Sequence, residues 1–300
     1  MSKEQLDKIV GILRKNAAAP RPATWEEHRA FMDEKSFPPQ KDVSYEPIDV
    51  NGVPSLWVTA PGVSQQRVVL YFHGGGYVVG SLKSHQDLTA RISKAADARV
   101  LYIDYRMGPE DPFPAAVDDA VTAYRWLLAE GCDPSNIALA GDSAGGGLTV
   151  ATLVKLRDSG DALPATAVCI SPWVDLEGVG DSMTSNADVD PSVKKAGLVD
   201  MAQAYLGDTD PRTPLAAPLY ADLQGLPPML IQVGGAETLL DDSTRLAEVA
   251  REAGCDVALE ITEDMFHVWH AFAPMLTEGQ DAIDALGSYI VGKIPVGASI

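Results

Sequence analysis

Ile137-Ala138-Leu139-Ala140-Gly141-Asp142-Ser143-Ala144-Gly145 is a short apolar run that stops at a glycine-flanked serine. Four apolar residues bounded by a turn signal read as a fully buried strand. The stretch Ala144–Arg157 behind it reads as a helix. Gly-x-Ser-x-Gly between a strand and a helix is the nucleophile-elbow pattern, a strained turn that exposes the serine hydroxyl. Gly141 and Gly145 supply the small neighbours such a turn needs.

Working outward, a second glycine motif lies upstream. His73-Gly74-Gly75-Gly76 ends the apolar run Val68-Val69-Leu70-Tyr71-Phe72. A glycine loop of this kind after a strand is the oxyanion-loop pattern of esterases and lipases. The two motifs together point to a serine acyl hydrolase.

Strands and helices alternate around them. Arg67–Phe72, Val100–Tyr105, Ala165–Ile170, Met229–Val233 and Val257–Ile261 read as strands. Leu88–Ala96, Ala115–Glu130, Ser243–Ala253 and Asp281–Val291 read as helices. Such alternation predicts an α/β fold with a mostly parallel sheet covered on both faces. Val43–Val50 and Val53–Thr59 flank Asn51-Gly52, a strong hairpin signal. Leu6, Ile9, Val10 and Leu13 recur at helical spacing, and Thr24 with Glu27 reads as a capping box opening a second helix with Trp25 and Phe31. Between about Asp175 and Pro228 the alternation breaks into a stretch rich in Asp, Pro, Gly and Ser, with one helix over Lys195–Leu206. So long a stretch without a sheet strand reads as an insertion, often a lid.

The 300 residues are 46% hydrophobic, enough for a large core in one domain or two. A net charge of −19 repels a phosphate backbone and argues against nucleic acid as a partner. Cys132, Cys169 and Cys255 fit neither a disulfide framework nor metal-ligand spacing. Met1-Ser2-Lys3-Glu4-Gln5 has no apolar signal region, and no apolar run approaches membrane-spanning length. The expectation is a reduced, cytoplasmic protein that binds no membrane and uses no metal or cofactor.

Ser143 is the candidate nucleophile, and it needs a general base. In this fold the triad runs in the order serine, acid, histidine. Only His267 and His270 follow Ser143. His267 is favoured because it lies closer to the end of the preceding strand; His270 is the rival. His73 reads as a loop brace rather than a base. For the acid, Glu237 stands just past the strand Met229–Val233, whereas Asp241 and Asp242 read better as N-terminal capping and dipole-matching charges of the next helix. The amides of Gly74, Gly75 and Ala144 are the candidate oxyanion donors.

With these motifs, Asp104-Tyr105-Arg106, Pro109-Glu110, Ser171-Pro172-Trp173 and Met265-Phe266-His267, the chain resembles the hormone-sensitive-lipase family of bacterial esterases. The resemblance spans nearly the whole chain. It implies the α/β-hydrolase fold and an acid and base where Glu237 and His267 stand. It also implies short-chain acyl esters as substrates and a tendency to form homodimers. Many members carry Asp-Pro-Leu at the acid loop, where this chain has Glu237-Thr238-Leu239. A helical cap is implied as well, from residues 1–40 and about 178–210, over a catalytic domain of residues 41–300. Arg106 and Glu110 would brace the loop beside the oxyanion turn. Tyr77, Met201, Tyr205 and Leu206 are candidate pocket residues, set against the plainer reading that apolar residues at helical spacing are core. A lactone or carbamate hydrolase would use the same triad. A small-molecule receptor on a hydrolase scaffold would lack the nucleophile or base, and both are present.

Overall fold

In the computed structural model, which describes residues 3–20 and 22–295, the chain opens with helices α1 (Lys3–Ala17) and α2 (Trp25–Lys35). The hairpin β1 (Ser44–Val50) and β2 (Val53–Thr59) turns on Asn51 and Gly52, with φ of 53° and 93°. A type I′ turn needs positive φ at both central residues, which is why Asn-Gly serves there. Then follow β3 (Val68–Phe72), α3 (Gln86–Ala95), β4 (Arg99–Ile103), α4 (Ala115–Ala129), β5 (Ile137–Asp142), α5 (Ala144–Ser159) and β6 (Thr166–Ile170). The chain ends with α6 (Ser182–Ser185), α7 (Lys195–Leu206), β7 (Met229–Gly234), α8 (Leu240–Glu252), β8 (Val257–Thr262) and α9 (Thr277–Lys293).

The strands form one eight-stranded sheet in the order β1-β2-β4-β3-β5-β6-β7-β8. The hairpin joins β4 antiparallel, and every pairing from there to β8 is parallel. Alternate residues of a buried strand feed opposite faces. Leu139 joins a core with Leu127 of α4, Leu148 of α5 and Leu246 of α8; Ala138 and Ala140 join another with Ile92 of α3 and Leu286 of α9. Burial on both faces is why these strands read as unbroken apolar runs. Phe72 pairs with Gly141 and Asp142 with Ile170, so both glycine motifs leave the sheet side by side at its carboxyl edge. Ligand sites of open α/β sheets form at that edge.

The two N-terminal helices are held against loops that leave this edge. Leu6 and Ile9 of α1 pack on Met265, Phe266, Trp269 and Leu276. Helix α2 buries no side chain completely and is held by polar ties instead. Arg29 donates to the carbonyls of Val78 at 2.8 Å and Gly108 at 2.9 Å and pairs with Glu110, while Asp33 accepts the Ser81 hydroxyl at 2.6 Å. Arg106 pairs with Asp119 of α4, away from that tie. Thr24 caps α2 as its spacing implied, accepting the Glu27 N–H. Helix α8 starts earlier than the sequence pattern implied, so Asp241 and Asp242 lie inside its first turn. Neither caps it. Asp241 accepts the Ser182 N–H, and Asp242 accepts the N–H groups of Val174 and Asp175, tying α8 to the insertion.

Candidate active site

Ser143 sits between β5 and α5 with φ 54° and ψ −119°, a conformation that L residues avoid. Surrounding structure holds it there. Its N–H donates to the Ile170 carbonyl at 2.8 Å, and its own carbonyl accepts from Trp173 at 2.9 Å and Gly147 at 3.1 Å. Gly145 is needed for close approach, because a Cβ there would collide with the Phe72 carbonyl oxygen. The result is a serine with its hydroxyl at the sheet edge.

His267 follows β8, and its Nε2 lies 2.9 Å from Ser143 Oγ. Its Nδ1 lies 2.7 Å from Glu237 Oε2, and the Glu237 carboxylate is fully buried. Nδ1 must carry the proton, since an ionised carboxylate can only accept, which leaves Nε2 free to take the serine proton. Burial alone would lower the His267 pKa. The charge of Glu237 and its hydrogen bond outweigh this and raise it above the ordinary value, with Asp190 and Asp142 adding to the effect.

The oxyanion loop differs from the sequence expectation at one position. The Gly74 N–H donates to Asp142 Oδ1 at 3.1 Å and so faces into the protein. The amides of Gly75 and Gly76 donate to no other group among the described residues, and Ala144 is the first residue of α5, where the N–H has no helical partner. Gly75 has φ 113°, and a Cβ on it would collide with the Val79 carbonyl. Asp142 anchors this arrangement, accepting the Tyr71 hydroxyl at 2.7 Å and facing His85 Nε2 at 3.3 Å. His73 braces the loop. Its ring stacks on Tyr105 at 4.3 Å, and Nδ1 donates to the Gly74 carbonyl at 2.7 Å. Burial, helped by the neighbouring His85, pushes its pKa down to about 4.

The rival residues lie elsewhere. His270 is fully buried with Nε2 2.9 Å from Gln232 Oε1, and burial pushes its pKa down to about 3. Tyr77, Tyr205 and Leu206 are buried in the core rather than exposed as pocket walls. Tyr77 and Tyr205 stack on each other at 3.9 Å and 8°, filling the join between α7 and the oxyanion loop. Met201 does line a cavity of about 1090 Å³ between α1, α2 and the body of the molecule. Its apolar wall includes Trp25, Phe31, Phe272 and Met275. Ser143 and His267 are not in that wall; the cavity meets the site through His85 and through Met201, which packs on Gly76.

Several residues escaped the sequence reading. Asn186 Nδ2 donates to the carbonyls of Gly235 and Glu237, and Asp190 accepts the Thr238 N–H, so the insertion grips the loop that carries Glu237. Ser171 donates to Glu237 Oε1 at 2.6 Å. The Ser171-Pro172-Trp173 motif was the signal for it; the partner of its hydroxyl was not readable. Among the described residues no cluster of three or more His, Cys, Asp or Glu could hold a metal ion, and no helix is long and apolar enough to cross a membrane.

A family model described as an α/β-hydrolase fold matches residues 69–271, which include both glycine motifs, Glu237 and His267. An acetyl-hydrolase of Streptomyces hygroscopicus is 51% identical over 234 residues, 78% of this chain and 78% of that one. A carboxylesterase of Mycobacterium tuberculosis is 36% identical over 228 residues, 72% of this chain and 70% of that one. The solved structure of an esterase from the bacterial hormone-sensitive lipase family is 52% identical, with a TM-score of 0.96 over 98% of this chain and 99% of that one. The chain belongs to the α/β-hydrolase family, on the bacterial hormone-sensitive-lipase branch. It is a carboxylic ester hydrolase.

Proposed function

We propose that the protein hydrolyses short-chain acyl esters with Ser143 as nucleophile, His267 as general base and Glu237 as the acid that orients it. The observation carrying this reading is the unbroken chain of contacts from Ser143 Oγ to His267 Nε2 at 2.9 Å and from Nδ1 to Glu237 at 2.7 Å. As Oγ attacks the ester carbonyl, Nε2 takes its proton, and Glu237 stabilises the imidazolium that forms. His267 then gives the proton to the departing alcohol. Water, deprotonated by the same Nε2, attacks the acyl-enzyme, and a carboxylic acid leaves. The carbonyl oxygen carries the negative charge at each tetrahedral stage. The free amides of Gly75, Gly76 and Ala144 are the donors assigned to it, Gly76 replacing Gly74, whose amide Asp142 occupies. Loss of one such donor costs about 10²–10³ in kcat.

In the same reading, residues 1–40 and about 178–210 form a cap over the catalytic domain of residues 41–300. The packing of α1 on the His267 loop and the grip of Asn186 and Asp190 on the Glu237 loop support this division. The acetyl-hydrolase relative supports a small acyl group. The test is hydrolysis of p-nitrophenyl esters from acetate to laurate, wild type beside Ser143→Ala. The expected result is a rate that is greatest at short chains and absent in the variant. Activity retained in folded Ser143→Ala, or a preference for laurate, overturns the proposal.

A further inference from the structure

Glu237 turns one carboxylate oxygen to His267 and the other, Oε1, away from it. Oε1 accepts the Gly234 N–H at 2.7 Å and the Ser171 hydroxyl at 2.6 Å. Ser171 is fully buried just past β6, with φ 44°. Its N–H is tied to the Gln232 carbonyl at 2.7 Å. Its hydroxyl also meets the Val268 N–H at 3.2 Å. The direction of the hydroxyl follows from this. An amide N–H can only donate, so Val268 takes a lone pair of Oγ and the hydroxyl proton is left for Glu237. One hydroxyl therefore joins the acid to the chain segment of the base, because Val268 directly follows His267.

We infer that Ser171 is a positioning residue for ester hydrolysis: its hydroxyl fixes the Glu237 carboxylate toward His267 and holds the two loops in register. The inference rests on the roles proposed for Glu237 and His267. A glutamate has one more rotatable bond than an aspartate, so its carboxylate has more orientations to lose. Two donors on Oε1 set the carboxylate plane and aim Oε2 at Nδ1. A side chain that only filled space would not need a hydroxyl, nor a backbone conformation that favours glycine.

The backbone of Ser171 supplies a clean test. Ser171→Gly removes the hydroxyl and relieves the positive φ, whereas Ser171→Ala removes the hydroxyl and keeps the strain. Positioning predicts that both variants lose about 10–100-fold in kcat, with KM little changed, whichever melts higher. It also predicts that the acid limb of kcat/KM against pH moves in Ser171→Gly, since the field of Glu237 at His267 changes. In a Glu237→Gln background, Ser171→Gly should add little further loss, because residues acting through one another are not additive. Parental kcat in folded Ser171→Gly beside an inactive Glu237→Gln overturns the role of Ser171 alone. So do losses that multiply in the double variant. Parental kcat in Glu237→Gln overturns the acid assignment and this inference with it.

Discussion

Asp142 offers the most direct perturbation of the oxyanion loop. Its buried carboxylate accepts the Tyr71 hydroxyl at 2.7 Å and the Gly74 N–H at 3.1 Å, and faces His85 at 3.3 Å. Asp142→Ala removes all three contacts and leaves buried donors without acceptors. Each orphaned donor costs about 1–3 kcal/mol, so the variant should lose roughly 3–5 kcal/mol after partial relaxation. Asp142→Asn keeps Oδ1 as acceptor for Tyr71 and Gly74 and gives up only the charged contact with His85, about 1–2 kcal/mol. The depressed pKa of the carboxyl gives a figure on the same scale. Burial would raise the Asp142 pKa, but the attraction and hydrogen bond of His85, with Tyr71, bring it from 3.8 to about 2. A pKa depressed in the folded state stabilises above the unfolded value, here by about 2 kcal/mol, and this is lost as pH falls from about 4 through 2. In Asp142→Ala the freed Gly74 no longer fixes the amides of Gly75 and Gly76, and kcat should fall toward the 10²–10³ of one lost donor. Urea unfolding at constant m and p-nitrophenyl acetate turnover measure the two effects. Parental kcat in Asp142→Ala, or an Asn variant as damaged as the Ala variant, would refute the tether.

Two further outcomes follow from the histidines. The base must be neutral to accept the serine proton, and Glu237 raises the His267 pKa despite burial, so the acid limb of kcat/KM should have its midpoint above 6.5; a midpoint below that value would mean that Glu237 does not act on His267. His270→Ala should lower stability by about 1–3 kcal/mol, since Gln232 Oε1 loses its partner in the core, and leave kcat nearly unchanged where His267→Ala abolishes it; equal losses of kcat would reopen the assignment of the base.

What was legible in the sequence was what short stretches decide. Val68–Phe72 and Ile137–Ala140 show as strands because both of their faces are buried, and Ser143 is marked by the glycines beside it. Chain order then brings Glu237 and His267 forward as partners. Which amides of the glycine loop stay free was not legible. Four residues, His73-Gly74-Gly75-Gly76, show that the loop is unusual, but which N–H faces the site depends on Asp142, brought beside it by the pairing of β3 with β5. Tyr77 and Tyr205 misled for a related reason. Each is a large aromatic near the site by position, and their mutual stacking, which no local pattern encodes, turns them into core.

On the proposed triad, the same distinction accounts for a glutamate where similar sequences carry aspartate. The added methylene is not an isolated departure at Glu237. Gly234, Ser171, Asn186 and Val268 lie on four separate segments, and each holds the acid, its loop or the base loop by a hydrogen bond. A longer acid reaches His267 at 2.7 Å only because those segments converge. Glu237→Asp alone should therefore work poorly in this frame. Withdrawing the carboxylate by one C–C bond, about 1.5 Å, takes it beyond hydrogen-bond range of Nδ1 and leaves the donors of Ser171 and Gly234 facing a gap. The choice of acid is a property of the surrounding loops, and position 237 records it without causing it.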